Sequence, residues 1–289
     1  MKQLNLFIDL TRLKKPIGYM LLFWPCVWGL AIAYDFSMNI QIFIKYALLF
    51  LLGSILMRSA GCIFNDIVDK DLDAKVERTK NRPIASGKIS IKLGLLYAFI
   101  LCVLAFIVLI QFNFFTIILA LASMPLAFTY PLMKRFTYWP QLFLGITFNY
   151  GLILGWTSIN SELSLVPLIL YFGAIFWTLG YDTIYGFQDI KDDEIIGVRS
   201  TSIKFKNNPK FFILTCYLIF TMTLIYLGLL MNYNKVYFVG LIIIFIHFVF
   251  FQIKNLNINS EKNCLNVFKS NNFLGLLIFL NLIFGKIFI

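Results

Sequence analysis

Apolar positions fall into nine long runs, at about residues 16–34, 42–64, 93–110, 114–133, 140–159, 165–187, 211–231, 236–253 and 273–289. Each is near the roughly 20 residues an α-helix needs to cross a bilayer core. A membrane β-barrel would instead show segments of about ten residues alternating apolar and polar, and no stretch does so. The pattern predicts an all-α, polytopic membrane protein: one domain over 1–289, a bundle of nine transmembrane helices. Its longest polar connections are 65–92 and 188–210.

Composition supports that reading. Of 289 residues 60% are hydrophobic and 13% charged, against about 25% charged in a soluble domain. The net charge of +11 is a topology signal. With the amino terminus inside, 22 of the 25 Lys and Arg residues fall on the cytoplasmic side, including those of 65–92 and 188–210; Lys45, Lys235 and Lys286 fall outside. The positive-inside rule therefore predicts a cytoplasmic amino terminus and cytoplasmic aspartate-rich segments. No nucleic-acid partner is needed to explain the charge. The five cysteines are scattered without a Cys-x-x-Cys pair and read as small buried hydrophobes. The first fifteen residues do not form a cleavable signal and are short for a transit peptide, so a bacterial inner membrane is the expected location. The 32 phenylalanines fit either an AT-rich gene or a greasy tunnel, and composition does not separate the two.

Ten of the fourteen acids lie in two short stretches: Asp66, Asp69, Asp71, Asp73 and Glu77, then Asp182, Asp189, Asp192, Asp193 and Glu194. Both follow apolar runs that end on the same side. On a continued helix Asn65, Asp69 and Asp73 recur every four residues and Asp66 precedes Asp69 by three, which puts four oxygen-bearing side chains on one face. Tyr181, Asp182, Tyr185, Asp189 and Asp193 recur at steps of three and four. Carboxylates this close repel one another unless a cation joins them. Magnesium, which takes oxygen ligands from one or two carboxylates and from substrate phosphates, suits the pattern. The bland alternative is a pair of solvated, salt-bridged loops, and Asp71 and Glu194 individually fit that description. Arg78, Thr79 and Arg82 follow the first motif and Arg199, Ser200 and Thr201 the second, supplying donors suited to phosphate; Lys80 and Lys88 serve equally well as topology anchors. His247, the only histidine, lies in an apolar run and cannot build a hydrolytic triad, and no phosphate-binding Gly-x-x-x-x-Gly-Lys-Ser/Thr loop occurs.

These residues resemble the UbiA superfamily of intramembrane prenyltransferases. The likeness runs from Met57-Arg58-Ser59-Ala60-Gly61-Cys62 through Asn65-Asp66-x-x-Asp69-x-x-x-Asp73 to Arg82-Pro83, and again from Tyr181-Asp182 through Asp193 to Arg199-Ser200-Thr201. It extends to Lys15-Pro16-Ile17-Gly18, Trp24-Pro25, Trp28, Tyr130-Pro131, Lys134-Arg135 and Asn271-Asn272. These outer segments resemble the branch acting on 4-hydroxybenzoate in ubiquinone biosynthesis. The resemblance implies nine helices and Mg2+ held by Asn65, Asp66, Asp69, Asp73, Asp182, Asp189 and Asp193. Asp66, Asp69, Asp73, Asp189 and Asp193 would be the catalytic acids. It also implies a polyprenyl diphosphate bound with help from Arg58, Arg78, Arg82, Tyr185 and Arg199, and 4-hydroxybenzoate whose carboxylate meets Lys134 or Arg135. A transporter would place its acids near the midplane, and a CDP-alcohol phosphotransferase would carry an Asp-Gly-x-x-Ala-Arg core that is missing here.

Overall fold

The structure, a computed structural model, describes residues 2–287. Among them every regular element is helical: α1 (Lys2–Thr11), α2 (Ile17–Ala33), α3 (Ile40–Val68), α4 (Lys70–Asp73), α5 (Ile91–Leu109), α6 (Phe114–Ala122) and α7 (Met124–Thr129). There follow α8 (Pro140–Asn149), α9 (Gly151–Asn160), α10 (Leu165–Gly186), α11 (Ile190–Ile196), α12 (Thr201–Lys204), α13 (Pro209–Leu230), α14 (Lys235–Ile246) and α15 (Glu261–Ile287). A 3-10 segment, Tyr130–Arg135, extends α7, and a π-helical segment, His247–Lys254, extends α14. The polar residues between apolar runs act as helix caps. Asn39, Ser90, Asn113, Ser164 and Asn234 each accept a hydrogen bond from a backbone N–H in the following turn, satisfying donors the helix leaves open.

Among the described residues, eight helical segments are long and apolar enough to cross a membrane, and α2, with 17 residues, falls short of the others. At about 1.5 Å per residue α2 is roughly 25 Å long, because Pro16 opens it and Tyr34, in extended conformation, closes it. The last span also differs from expectation. It begins at Glu261, twelve residues before the expected start at 273, and its final residues, 288 and 289, lie outside the described residues. Asn271 and Asn272 interrupt the apolar pattern, yet they are structural partners. Trp177 donates to Asn271 at 2.9 Å and Trp24 to Asn272 at 2.9 Å. Trp28 donates to the Gly275 carbonyl at 3.0 Å. Three indole donors therefore tie α15 to α2 and α10, as polar side chains do between helices in lipid.

The centre of the bundle is set by close backbone approach. Gly151 and Gly155, four apart on α9, face α2, and a Cβ on Gly155 would stand 2.1 Å from the Cys26 carbonyl oxygen. Gly29 answers from α2, where a Cβ would stand 2.0 Å from the Leu152 oxygen. Small residues at this spacing let membrane helices pack on backbone. Trp28 and Trp177, both fully buried, meet beside this crossing with ring centroids 4.9 Å apart. At the other flank α1 lays Leu6, Phe7 and Leu10 against a cluster that includes Ile63, Ile84 and Ile89.

Two helix breaks position the acids. α3 ends at Val68, Asp69 takes φ −97°, ψ 8°, and α4 resumes. α10 ends at Gly186 and α11 begins after Asp189, which takes φ −113°, ψ 9°. Asp189 thus repeats the conformation of Asp69, and each N–H four residues on, of Asp73 and Asp193, donates back to its carbonyl at 2.8 Å. The continuous helical face expected for the second motif is therefore corrected: 187–189 interrupt it, and the two motifs are alike in their break instead.

Candidate active site

One cavity of about 250 Å³ gathers most of the residues singled out from sequence. Asn65, Asp69, Asp73, Arg78, Thr79, Arg82, Lys134, Asp182, Tyr185, Asp189, Asp193, Arg199 and Ser200 line it. Its apolar wall comes from Leu72, Val76, Pro131, Pro140, Leu144, Ile196 and Val198, with Tyr130 and Gln141 among the remainder. Residues more than a hundred positions apart thus share one chamber, delivered by the α3–α4 and α10–α11 breaks.

The acids are distributed among cations from other elements. Lys134 reaches Asp69 Oδ2, Arg82 reaches Asp73 Oδ2 at 2.7 Å and Asp66 Oδ1 at 3.2 Å, and Arg78 bonds both oxygens of Asp189. The Arg78 bridge spans the two motifs and adds a 3.5 Å contact to the Tyr185 hydroxyl. Asp69 is 1% exposed, and its Oδ1 has no hydrogen-bond partner. Burial, with the Asp189 charge next, pushes the Asp193 carboxyl up to about 7. Burial likewise raises Asp73, against the lowering effect of Arg82. A buried, partly unmatched set of carboxylates of this kind is stabilised by a proton or a cation.

The fit to magnesium is specific in kind. Among the described residues no group of three or more His, Cys, Asp or Glu stands ready to hold a metal by itself. Magnesium does not demand such a cage, since it keeps water and takes substrate phosphate oxygens beside one or two carboxylates. The free oxygen of Asp69 on one motif, with Asp189 and Asp193 on the other, fits a metal carried in with a diphosphate.

Three sequence-derived residues stand elsewhere. Asp66 does not line the cavity; it is 1% exposed and held by Arg12 at 2.6 Å and by Arg82. Its Oδ1 accepts from both guanidinium groups. Arg135 is 43% exposed, donates to the Val68 carbonyl at 2.7 Å and stands 3.9 Å from Asp69 Oδ1. It too is absent from the lining, which leaves Lys134 as the cation of that pair in the chamber. Arg58 sits away from the lining beside Gly18, its guanidinium 5.4 Å from the Phe148 ring centroid and its Nε unpartnered.

Sequence reasoning missed Arg12 and Gln141. Arg12 had counted only as a tail cation, and its distance of 54 positions from Asp66 carries no signal. Gln141 accepts from the Thr201 N–H at 3.0 Å and so anchors α12 to α8; nothing in its local pattern marks it.

Comparison with known proteins identifies the family and the fold. The model of the UbiA prenyltransferase family matches residues 22–283. The chain is 40% identical over 288 residues to the mitochondrial 4-hydroxybenzoate polyprenyltransferase of Rattus norvegicus, covering 99% of this chain and 76% of the relative. It is 39% identical over 283 residues to the mitochondrial 4-hydroxybenzoate polyprenyltransferase of Arabidopsis thaliana, with 98% and 69% covered. Its fold is similar to the apo structure of a UbiA homolog from Aeropyrum pernix K1, with TM-score 0.75, 21% identity, and 92% and 96% of the two chains covered. It is also similar to a UbiA homolog from Archaeoglobus fulgidus bound to GPP and Mg2+, with TM-score 0.70, 16% identity, and 97% and 99% covered. The expected bacterial inner membrane is overturned by the rat and Arabidopsis relatives, which are mitochondrial enzymes of eukaryotes. What stands is a multi-pass membrane protein.

Proposed function

Because the chain belongs to the UbiA prenyltransferase family, we propose that it transfers a polyprenyl group from polyprenyl diphosphate to the ring carbon ortho to the hydroxyl of 4-hydroxybenzoate, in ubiquinone biosynthesis. The observation that carries this reading is the convergence of two separate aspartate motifs with Arg78, Lys134 and Arg199 on one chamber. Magnesium, when bound, neutralises the diphosphate and makes it a leaving group. Asp69 and Asp189, at matching helix breaks, hold the carboxylates where that charge is needed. Arg78 and Arg82 orient phosphate oxygens by paired N–H donors. The bond from the prenyl carbon to diphosphate oxygen breaks, the ring carbon bonds the resulting allylic cation, and loss of the ring proton restores aromaticity. Leu72, Val76, Leu144 and Ile196 give the chamber an apolar wall that keeps water from the cation. Lys134 supplies the charge for the aromatic carboxylate. Purified protein in detergent should consume polyprenyl diphosphate and 4-hydroxybenzoate in equal amounts only when magnesium is present. Undiminished transfer in chelator, or diphosphate release unaffected by 4-hydroxybenzoate, rules the reading out.

The orientation belongs to the same proposal. Residues 65–92 and 188–210 lie on the side of the amino terminus, with α2 as a ninth, short span, which accounts for 22 of 25 cations on one side. Single cysteines placed near Lys80 and Lys204 should react with an impermeant thiol reagent from the face opposite to one near Glu162. Labelling of all three from the same face contradicts it.

A further inference from the structure

Arg12 lies just after the amphipathic helix α1 and outside the 22–283 family match, and its guanidinium ends beside the first aspartate motif. It bonds Asp66 Oδ1 at 2.6 Å, and the same oxygen takes Arg82 Nη1 at 3.2 Å. That Arg82 nitrogen also bonds Asp73 Oδ2 at 2.7 Å. Arg82 and Asp73 line the cavity; Asp66 and Arg12 do not. A chain of four charges therefore runs Arg12, Asp66, Arg82, Asp73 from the edge of the fold to the chamber.

The backbone at its outer end is committed to this contact. Arg12 has φ +56°, a left-handed conformation that is unfavourable for a residue with a Cβ. The turn it makes, closed by Lys15 N–H donating to the Arg12 carbonyl at 2.8 Å, joins α1 to α2 and aims the side chain at α3. Upstream, Leu10 is fully buried and Thr11 is 2% exposed, so α1 is fixed against α3 before the arginine is reached.

Asp66 is nearly inaccessible to solvent, and with Arg82 alone it would compete with Asp73 for a single guanidinium nitrogen. Arg12 removes that competition. With Asp66 already neutralised, Arg82 Nη1 keeps its place between Asp66 and Asp73, and Asp73 keeps its orientation toward the chamber. We propose that Arg12 is a positioning residue for the first aspartate motif: through Asp66 it holds Arg82 and Asp73 in the geometry that receives a metal–diphosphate. This rests on the reading that the chamber binds such a group, but not on the identity of the acceptor.

The test uses the full chain in detergent, with magnesium and inorganic diphosphate as the probe and thermal unfolding as the readout, beside the prenyl-transfer assay. Arg12→Gln should need about tenfold more magnesium to reach half of the diphosphate-dependent stabilisation. In transfer it should raise KM for the prenyl diphosphate while changing KM for 4-hydroxybenzoate less than twofold. Arg12→Lys, which keeps the charge, should recover most of the loss; if Arg12→Gln does not fold, Asp66→Asn carries the test. Asp66→Asn should reproduce Arg12→Gln, and the double variant should be no worse than either, since the two act in series. Asp9→Asn, on the exposed side of α1, should match the parent. Wild-type magnesium dependence in Arg12→Gln or in Asp66→Asn, or additive losses in the double variant, overturns the proposal. Parent protein that binds magnesium diphosphate yet transfers nothing to 4-hydroxybenzoate defeats the functional reading and leaves this one standing; parent protein that binds neither defeats both.

Discussion

Asp69→Asn and Asp189→Asn are each expected to lower turnover about a hundredfold or more, the several kcal/mol that metal stabilisation of a leaving group supplies. Each carboxylate occupies a helix break with the same backbone conformation, so each substitution removes a charge at the equivalent point of one half-site while keeping side-chain size. Asp69 gives the sharper case, because it is buried with one oxygen free of hydrogen bonds and the other on Lys134. In the proposed function both act on one diphosphate, so the double variant should be little worse than the worse single one. Asp71, exposed between them, should tolerate Asn almost silently. Turnover across a magnesium titration, with size-exclusion profiles to confirm folding, separates the outcomes. Near-normal turnover in either single variant, or a collapse in Asp71→Asn, contradicts the two-motif arrangement.

The helices and the chamber were legible in the sequence for different reasons. Long apolar runs announce spans because lipid forces every backbone group to bond within its own helix. The acids were legible because carboxylates clustered beside apolar runs need a counter-charge. Two kinds of information were hidden. Asn271 and Asn272 looked like the end of a polar loop, since a polar residue facing a partner indole inside the bundle has the same letter as one facing water. The Arg12–Asp66 contact was hidden because spacing assigns side chains to a helix face but does not reveal which face another element already occupies, and Arg12 arrives from 54 positions away. The break at 187–189 was hidden for a similar reason. The spacing of Asp182, Asp189 and Asp193 fits a continuous helix, and only the backbone shows that α10 stops at Gly186.

Arg78→Ala is expected to reduce kcat/KM for the prenyl diphosphate about a hundredfold, roughly 2.7 kcal/mol of transition-state stabilisation at about 1.36 kcal/mol per tenfold. Arg78 comes from the loop after the first motif and grips both oxygens of Asp189 in the second, with its guanidinium carbon 5.8 Å from the Tyr185 ring centroid. At 37% side-chain exposure the pair contributes little to stability; its effect is to hold the two half-sites at a fixed separation and to keep an arginine fork beside the phosphates. Arg78→Lys should recover less than a tenth of the lost activity, because an ammonium offers a point charge where two parallel N–H donors are required. The KM for 4-hydroxybenzoate should change less than threefold, since the proposed function gives that substrate's carboxylate to Lys134 rather than Arg78. Lys80, whose partner Glu77 is solvent-exposed, is the control: Lys80→Ala removes a cation from the same loop and should leave both substrates unaffected. Initial rates with each substrate varied in turn give the four constants needed. A rise confined to the aromatic acid, or full activity in Arg78→Lys, means that the two motifs are held together by other contacts than this bridge.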